Sequence, residues 1–163
     1  MAVSTVTRRA TIQPWLSLAA RLLLAGVFGV AGALKLADPA AATRAVSAYE
    51  IVPTGAADLV GYALPAAELG LAVLLLIGLA VRFSAIVSAV LLVMFIAAII
   101  SAWTRGLSID CGCFGGGGAV EAGSTRYLEE IVRDVGLLLV AGWLIAFPRS
   151  PFALDRDVQP SQP

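Results

Sequence analysis

Four apolar stretches, at 15–36, 60–81, 83–103 and 131–147, constrain this chain more than any other feature of its sequence. About 20 consecutive apolar residues match the hydrocarbon thickness of a bilayer, and a helix satisfies its own backbone N–H and C=O groups where no water can. The stretch at 83–103 holds no charged residue at all. Soluble domains carry about 25% charged residues; here the figure is 13%, with 60% hydrophobic. The predicted fold class is therefore all-α, an integral membrane four-helix bundle whose first partner is the lipid bilayer. With 163 residues in all, four crossings and their connections leave no room for a second, soluble catalytic domain.

The predicted organisation is an N-terminal arm at 1–14, a membrane domain at 15–147 and a Pro-rich, disordered tail at 148–163. The arm carries Arg8 and Arg9 and imitates the charged start of a secretory signal. Against that reading, the apolar stretch that follows exceeds an ordinary signal core and contains Arg21. Between 60–81 and 83–103 only Arg82 intervenes, which predicts an antiparallel hairpin with a very tight turn. The last helix begins as a polar one near Ser124 or Thr125. Arg126 with Glu130, and Glu129 with Arg133, stand at the i,i+4 spacing of helical ion pairs.

Basic residues set the expected orientation. Arg8, Arg9, Arg82, Arg149 and Arg156 share one side, against Lys35, Arg44, Arg105 and Arg126 on the other. The excess of one predicts both termini in the cytoplasm, with loop 37–59 and loop 104–123 facing outward together. Ala25, Gly29 and Ala33 recur at four-residue spacing and are read as a packing stripe that lets another helix approach.

Charges scattered to a net of zero exclude a nucleic-acid footprint. There is no histidine, which removes the commonest general base and the commonest metal ligand. What remains is concentrated in one place. Both cysteines fall in Asp110-Cys111-Gly112-Cys113, followed by a glycine run. A Cys-x-Cys pair closes a very small ring if the backbone turns tightly, and Gly112 supplies that freedom. Such a ring is strained and easily reduced, the property of a working disulfide rather than a staple. Arg105 and Arg126 flank the loop and would lower a thiol pKa, while Asp110 opposes them and is a candidate proton relay. The alternatives are a half-complete zinc site, which lacks further ligands in this chain, and two unreactive thiols; no metal is predicted.

Glu68 lies inside the second stretch, where an unpaired charge is costly, so a partner is expected from Arg21 or Arg133. A structural ion pair and a proton-handling acid are the two readings of it. Pro65 is expected to kink its helix and open a cavity. Lys35 is read as snorkelling to the interface and Asp38-Pro39 as ending the first helix, with loop one, including Tyr49, as a lid over the cysteines.

Gly32-x-x-Lys35-Leu36-x-Asp38-Pro39, Tyr49 with Pro53, Pro65-x-x-Glu68, Arg105-Gly106 and Asp110-Cys-Gly-Cys-Phe-Gly115, in this order, resemble the methylamine utilisation protein MauE family, within the wider DoxX-like membrane proteins. The resemblance runs from about residue 16 to 147, and the Cys-Gly-Cys-Phe-Gly element is its most specific part. It implies a multi-pass protein of the bacterial cytoplasmic membrane that serves disulfide formation in exported proteins; in the namesake system the client is the methylamine dehydrogenase small subunit. The architecture is also similar to membrane bundles that pass electrons between thiols and quinone, which makes quinone the cofactor to look for. Unlike those, this chain has no second cysteine pair, so a thioredoxin-like or exported disulfide-containing partner is expected. The other class of function is a non-catalytic membrane subunit or scaffold of a quinone-linked oxidoreductase, in which the cysteines would not matter. A transporter is disfavoured because no inverted repeat is apparent.

Overall fold

The computed structural model of the chain describes residues 3–113, 116–121 and 123–154, with side chains from residue 12 onward, Thr54 excepted. In chain order the elements are α1 (Val3–Ala37), α2 (Pro39–Ala48), α3 (Thr54–Ile77), α4 (Val81–Thr104), the short strands β1 (Ile109–Asp110) and β2 (Gly118–Ala119), and α5 (Tyr127–Ala146). Three helical segments are long and apolar enough to cross a membrane: Ile12–Ala37, Gly55–Ile77 and Val81–Thr104. Large side chains such as Leu23, Val73, Val90 and Leu139 point outward from the bundle, while much of its interior is alanine. This is how a bundle packs when lipid, not water, lies outside. The 20 residues of α5 would span about 30 Å, but Glu129, Glu130, Arg133 and Asp134 crowd its start, so it stands apart from the three apolar helices.

Several boundaries differ from the sequence expectation. The arm is helical from Val3 onward and continuous with α1 despite Pro14 in its interior. Asp38-Pro39 does more than end α1. Asp38 caps α2, its Oδ1 accepting a bond from the Ala41 N–H at 2.9 Å, with Pro39 in the first turn. Loop one is therefore largely a helix. The turn between the second and third apolar stretches falls at 78–80 rather than at Arg82, because Gly78 takes φ 69° and closes α3 with the Leu79 N–H bonded to the Leu74 carbonyl. A Cβ at Gly78 would also strike Arg21 and Ala153. At the polar start of α5, Arg126 pairs with Glu129 (3.6 Å) and Arg133 with Asp134 (2.9 Å), not at the expected spacing of four. Residues 148–154, expected to be disordered, are placed, with Ser150 and Ala153 buried; the rest of the tail lies outside the described residues.

The helices pack as two couples, α1 with α3 and α4 with α5, joined through α1 against α5. Gly29 and Gly32 make the first couple close: a Cβ at Gly32 would come within 3.0 Å of the Pro65 carbonyl. Gly32 thus takes the place expected of Ala33, which is exposed. Although consecutive, α3 and α4 make little contact beyond their turn. The gap between them, roofed by α2 and the β1–β2 loop, is where the chemistry-bearing residues meet.

Candidate functional site

Tyr127, at the first turn of α5, holds the base of the cysteine loop. Its hydroxyl donates to the Leu107 carbonyl at 2.6 Å and accepts from the Ile109 N–H at 3.1 Å. The antiparallel pairing of Ile109 with Ala119 and Asp110 with Gly118 then closes the loop that presents the thiols. Between the cysteines Gly112 takes φ 67°, and a Cβ there would stand 2.7 Å from that of Ala45 on α2. Both backbone freedom and space demand glycine at this point. Loop one does lie over the cysteines, as α2 packs on β1 and β2 and the Tyr49 hydroxyl donates to the Cys111 carbonyl at 3.4 Å.

Both cysteines are free thiols, Cys111 half-buried and Cys113 buried. The Cys113 N–H donates to the Cys111 sulfur at 3.2 Å. A hydrogen bond between the two thiols pulls Cys113 below the ordinary thiol range, and the positive charges of Arg133 and Lys35 act in the same direction; burial and Asp134 oppose them. The same hydrogen bond, with burial and any charge on Cys113, holds Cys111 well above that range. One proton is thus shared unequally, leaving the buried sulfur as the thiolate-prone one. Burial, then the nearby thiols, also pushes the Tyr49 hydroxyl far up, so it serves only as a neutral donor.

Glu68 is buried and ion-paired, but its partner is neither Arg21 nor Arg133. Lys35 reaches it at 2.5 Å, 7% exposed at its side chain, with its ammonium 5.5 Å from the centre of the Phe95 ring. The snorkelling read for Lys35 is therefore overturned. The reason is reach: α1 and α3 lie so close at Gly32 that Lys35 meets a carboxylate one step away before it meets the interface. Arg21 is occupied at the opposite end, donating to Ser150 Oγ at 2.9 Å. Arg133 takes Asp134, and Arg105 donates to the Tyr49 carbonyl and faces Glu50, tying α4 to the end of α2 rather than flanking the thiols. Asp38 is spent as a helix cap, and Asp110 is exposed, with Oδ1 accepting from the Gly112 N–H at 3.5 Å.

An apolar cavity of about 210 Å³ opens beside the thiols. Cys111, Gly112 and Cys113 form one wall, with Lys35 and Tyr49 the main polar groups; Pro65 lies on the α3 side. Its lining reaches Val60 on α3 and Met94 on α4, both exposed on the flank of the bundle, so it opens sideways between those helices. Such an apolar space with a few polar groups is the ordinary form of a small-molecule site.

The sequence expectation gives two residues of this site no part in it. Glu130, read there only as a helical ion-pair partner, is buried within hydrogen-bond reach of Cys111. Asp134, 2% exposed, borders a small space beside Cys113. Their only sequence signal was acidity next to an apolar run. One ligand atom each of Asp110, Cys111 and Glu130 lie within 4.8 Å of one another; with Asp110 exposed and bonded within the loop, the trio is read as the hydrogen-bond surroundings of the thiol.

No curated protein and no solved structure matches this chain. A family model does, over residues 13–147, which takes in α1 from its apolar part, the cysteine loop and all of α5. The chain belongs to the family described as methylamine utilisation protein MauE, and is a multi-pass membrane protein with three helices capable of spanning the bilayer.

Proposed function

We propose that this chain is a membrane thiol-disulfide redox protein that matures exported proteins, with α5 as its fourth crossing, both termini in the cytoplasm and the cysteine loop on the outer face of the bacterial cytoplasmic membrane. The carrying observation is the pair of hydrogen-bonded thiols on the wall of an apolar cavity that opens toward lipid. With the pair oxidised, a partner thiolate attacks Cys111, the more exposed sulfur, and Cys113 leaves. A leaving thiol of low pKa leaves faster, which suits the asymmetry of the pair. The partner's second thiol then resolves the mixed disulfide and carries the new disulfide away. A quinone-class acceptor in the cavity would take up the two electrons of the reduced pair, with Lys35, whose ammonium has hydrogens beyond the one given to Glu68, the donor placed to hold a carbonyl oxygen. Two S–H bonds break, one S–S bond forms, and the acceptor becomes a quinol.

Partners of this chemistry are thioredoxin-like or disulfide-containing exported proteins. The methylamine dehydrogenase small subunit is the client that the family's name suggests. The test is a Cys113→Ser variant, which has no internal disulfide to pass on, so its exported partner should accumulate with its thiols reduced, read by non-reducing gel and mass spectrometry. Full function in a Cys111→Ser/Cys113→Ser strain would instead establish the chain as a non-catalytic subunit. Alkylation of the thiols in intact cells by a membrane-impermeant reagent tests the orientation.

A further inference from the structure

Bordering Cys113, and sharing Phe95 with the apolar cavity, is a second space of about 20 Å³. Cys113, Glu68, Arg133 and Asp134 border it, with Phe28 and Phe95 among its apolar walls. A water needs roughly 10–15 Å³ of such volume and two to four polar partners, and both conditions are met. The two carboxylates are the telling part. Glu68 is 1% and Asp134 2% exposed, and each has one oxygen anchored, to Lys35 and to Arg133 respectively. The other oxygen of each, Glu68 Oε2 and Asp134 Oδ2, is buried without a hydrogen-bond partner among the described residues. Buried carboxylate oxygens in that condition are costly and call for a donor.

We propose that this space holds one water molecule, donating to Glu68 Oε2 and Asp134 Oδ2, and that it carries the thiol proton of Cys113 to Asp134. This rests on the redox reading above and assigns its proton path. The charged groups facing Cys113 are Lys35 from α1, Glu68 from α3, and Arg133, Asp134 and Glu130 from α5; Tyr49, Asp110 and Cys111 complete the titratable set, while α4 offers Phe95 and Leu92. The two ion pairs bordering the space sum to zero charge. Sending the proton to bulk would leave a bare negative charge among phenylalanines, whereas moving it to Asp134 keeps the cluster neutral. Asp134 is the better acceptor of the two carboxylates because its anchor, Arg133, is 32% exposed at its side chain and leads outward; Glu68 is held by a buried lysine and positions the water. In the balance of the oxidation, Cys113 gives one proton by this route and Cys111 the other on its half-exposed side, beside Glu130. The two equal those that the quinol takes up.

The test uses the full chain in lipid nanodiscs, with infrared difference spectra between the dithiol form and the form oxidised by diamide. The S–H stretching band of Cys113 should be present in the reduced form at mildly acidic pH and shift in Asp134→Asn and in Glu68→Gln, because the water that accepts from this thiol loses an acceptor of its own. If Asp134→Asn does not fold, the shift in Glu68→Gln carries the test. Two rates form the second measurement. Alkylation of Cys113 in a Cys111→Ser background should rise about threefold to tenfold in Asp134→Asn, since a negative charge opposing the thiolate is removed. Oxidation of the dithiol by decylubiquinone should fall about a hundredfold in the same substitution, as for a lost general base. Opposite movement of the two rates supports the relay. An S–H band of Cys113 that does not move in Asp134→Asn, or rates that move together, would overturn it. Wild-type protein inert to decylubiquinone would sink the quinone reading instead, and the diamide spectra would still decide the relay.

Discussion

At one end of the helices Arg21 donates to Ser150 and to the Phe152 carbonyl, while Ser17 accepts from the Trp143 indole and donates to the Phe147 carbonyl. At the other end Lys35 and Glu68, and Arg133 and Asp134, pair with each other and still leave carboxylate oxygens unanswered beside a thiol. The first cluster directs its donors to the end of α5 and the chain after it, and so fastens residues 148–154 across the bundle. The second holds ionisable groups against one another around a small space. Both ends bury charge in a membrane domain, yet only one is arranged so that a proton has somewhere to go. A buried ionisable group thus becomes a functional candidate when it leaves an atom that can accept a proton beside a group that can give one, not through burial alone.

The sharpest way to break this contrast is Cys111→Ser. It should abolish partner oxidation altogether, measured as disulfide formation in an exported client, while leaving thermal unfolding in detergent unchanged. Next is Lys35→Met, which strands Glu68 and should cost about 3–5 kcal/mol, whereas Lys35→Met with Glu68→Leu should recover most of the loss. Denaturant or thermal unfolding of the two variants reads this directly. Gly112→Ala forces a side chain into a left-handed backbone and against Ala45, for an expected loss of about 1–3 kcal/mol, together with altered thiol reactivity. At the opposite end, Ser150→Ala removes one bond to Arg21 and should cost about 1.5 kcal/mol with no effect on the thiols. A change in thiol alkylation from Ser150→Ala would erase the distinction between the ends.

The smallest effect is the most specific to the dithiol. Cys113, held low, should be alkylated with a midpoint below the ordinary thiol value of 9.0, whereas Cys111, held high, should stay protonated beyond it. As pH rises, the buried sulfur therefore becomes reactive first, and mass spectrometry of the alkylated peptides should show Cys113 labelled ahead of Cys111. Equal labelling of the two would remove the asymmetry on which the exchange order rests.

Much of this was legible in the residues. The apolar stretches marked the helices, since the hydrocarbon thickness sets a length that few other sequences meet. The Cys-Gly-Cys tripeptide marked the loop, since two cysteines so spaced around a glycine have few uses. Asp38-Pro39 carried a helix start that hydropathy hides, and Gly78 a helix stop, both governed by local backbone preferences rather than by lipid. Partners were another matter. Glu68 was recognisable as a buried acid, but its pairing with Lys35 depends on the closeness of α1 and α3 at Gly32, a property of two helices and not of one.

The sequence by itself determined that this protein lives in a membrane, where its apolar helices lie and which loop holds its thiols, because hydrophobicity and cysteine spacing act over a few turns of chain. Only the tertiary structure decided which charges meet. Lys35 took Glu68, Arg133 took Asp134 and Arg21 took the chain's last described segment, because a salt bridge is settled by a few ångströms between elements that are far apart in sequence. The cavity that opens between α3 and α4, and the small space beside Cys113, belong to the same class of fact: they are shaped by what helices leave between them.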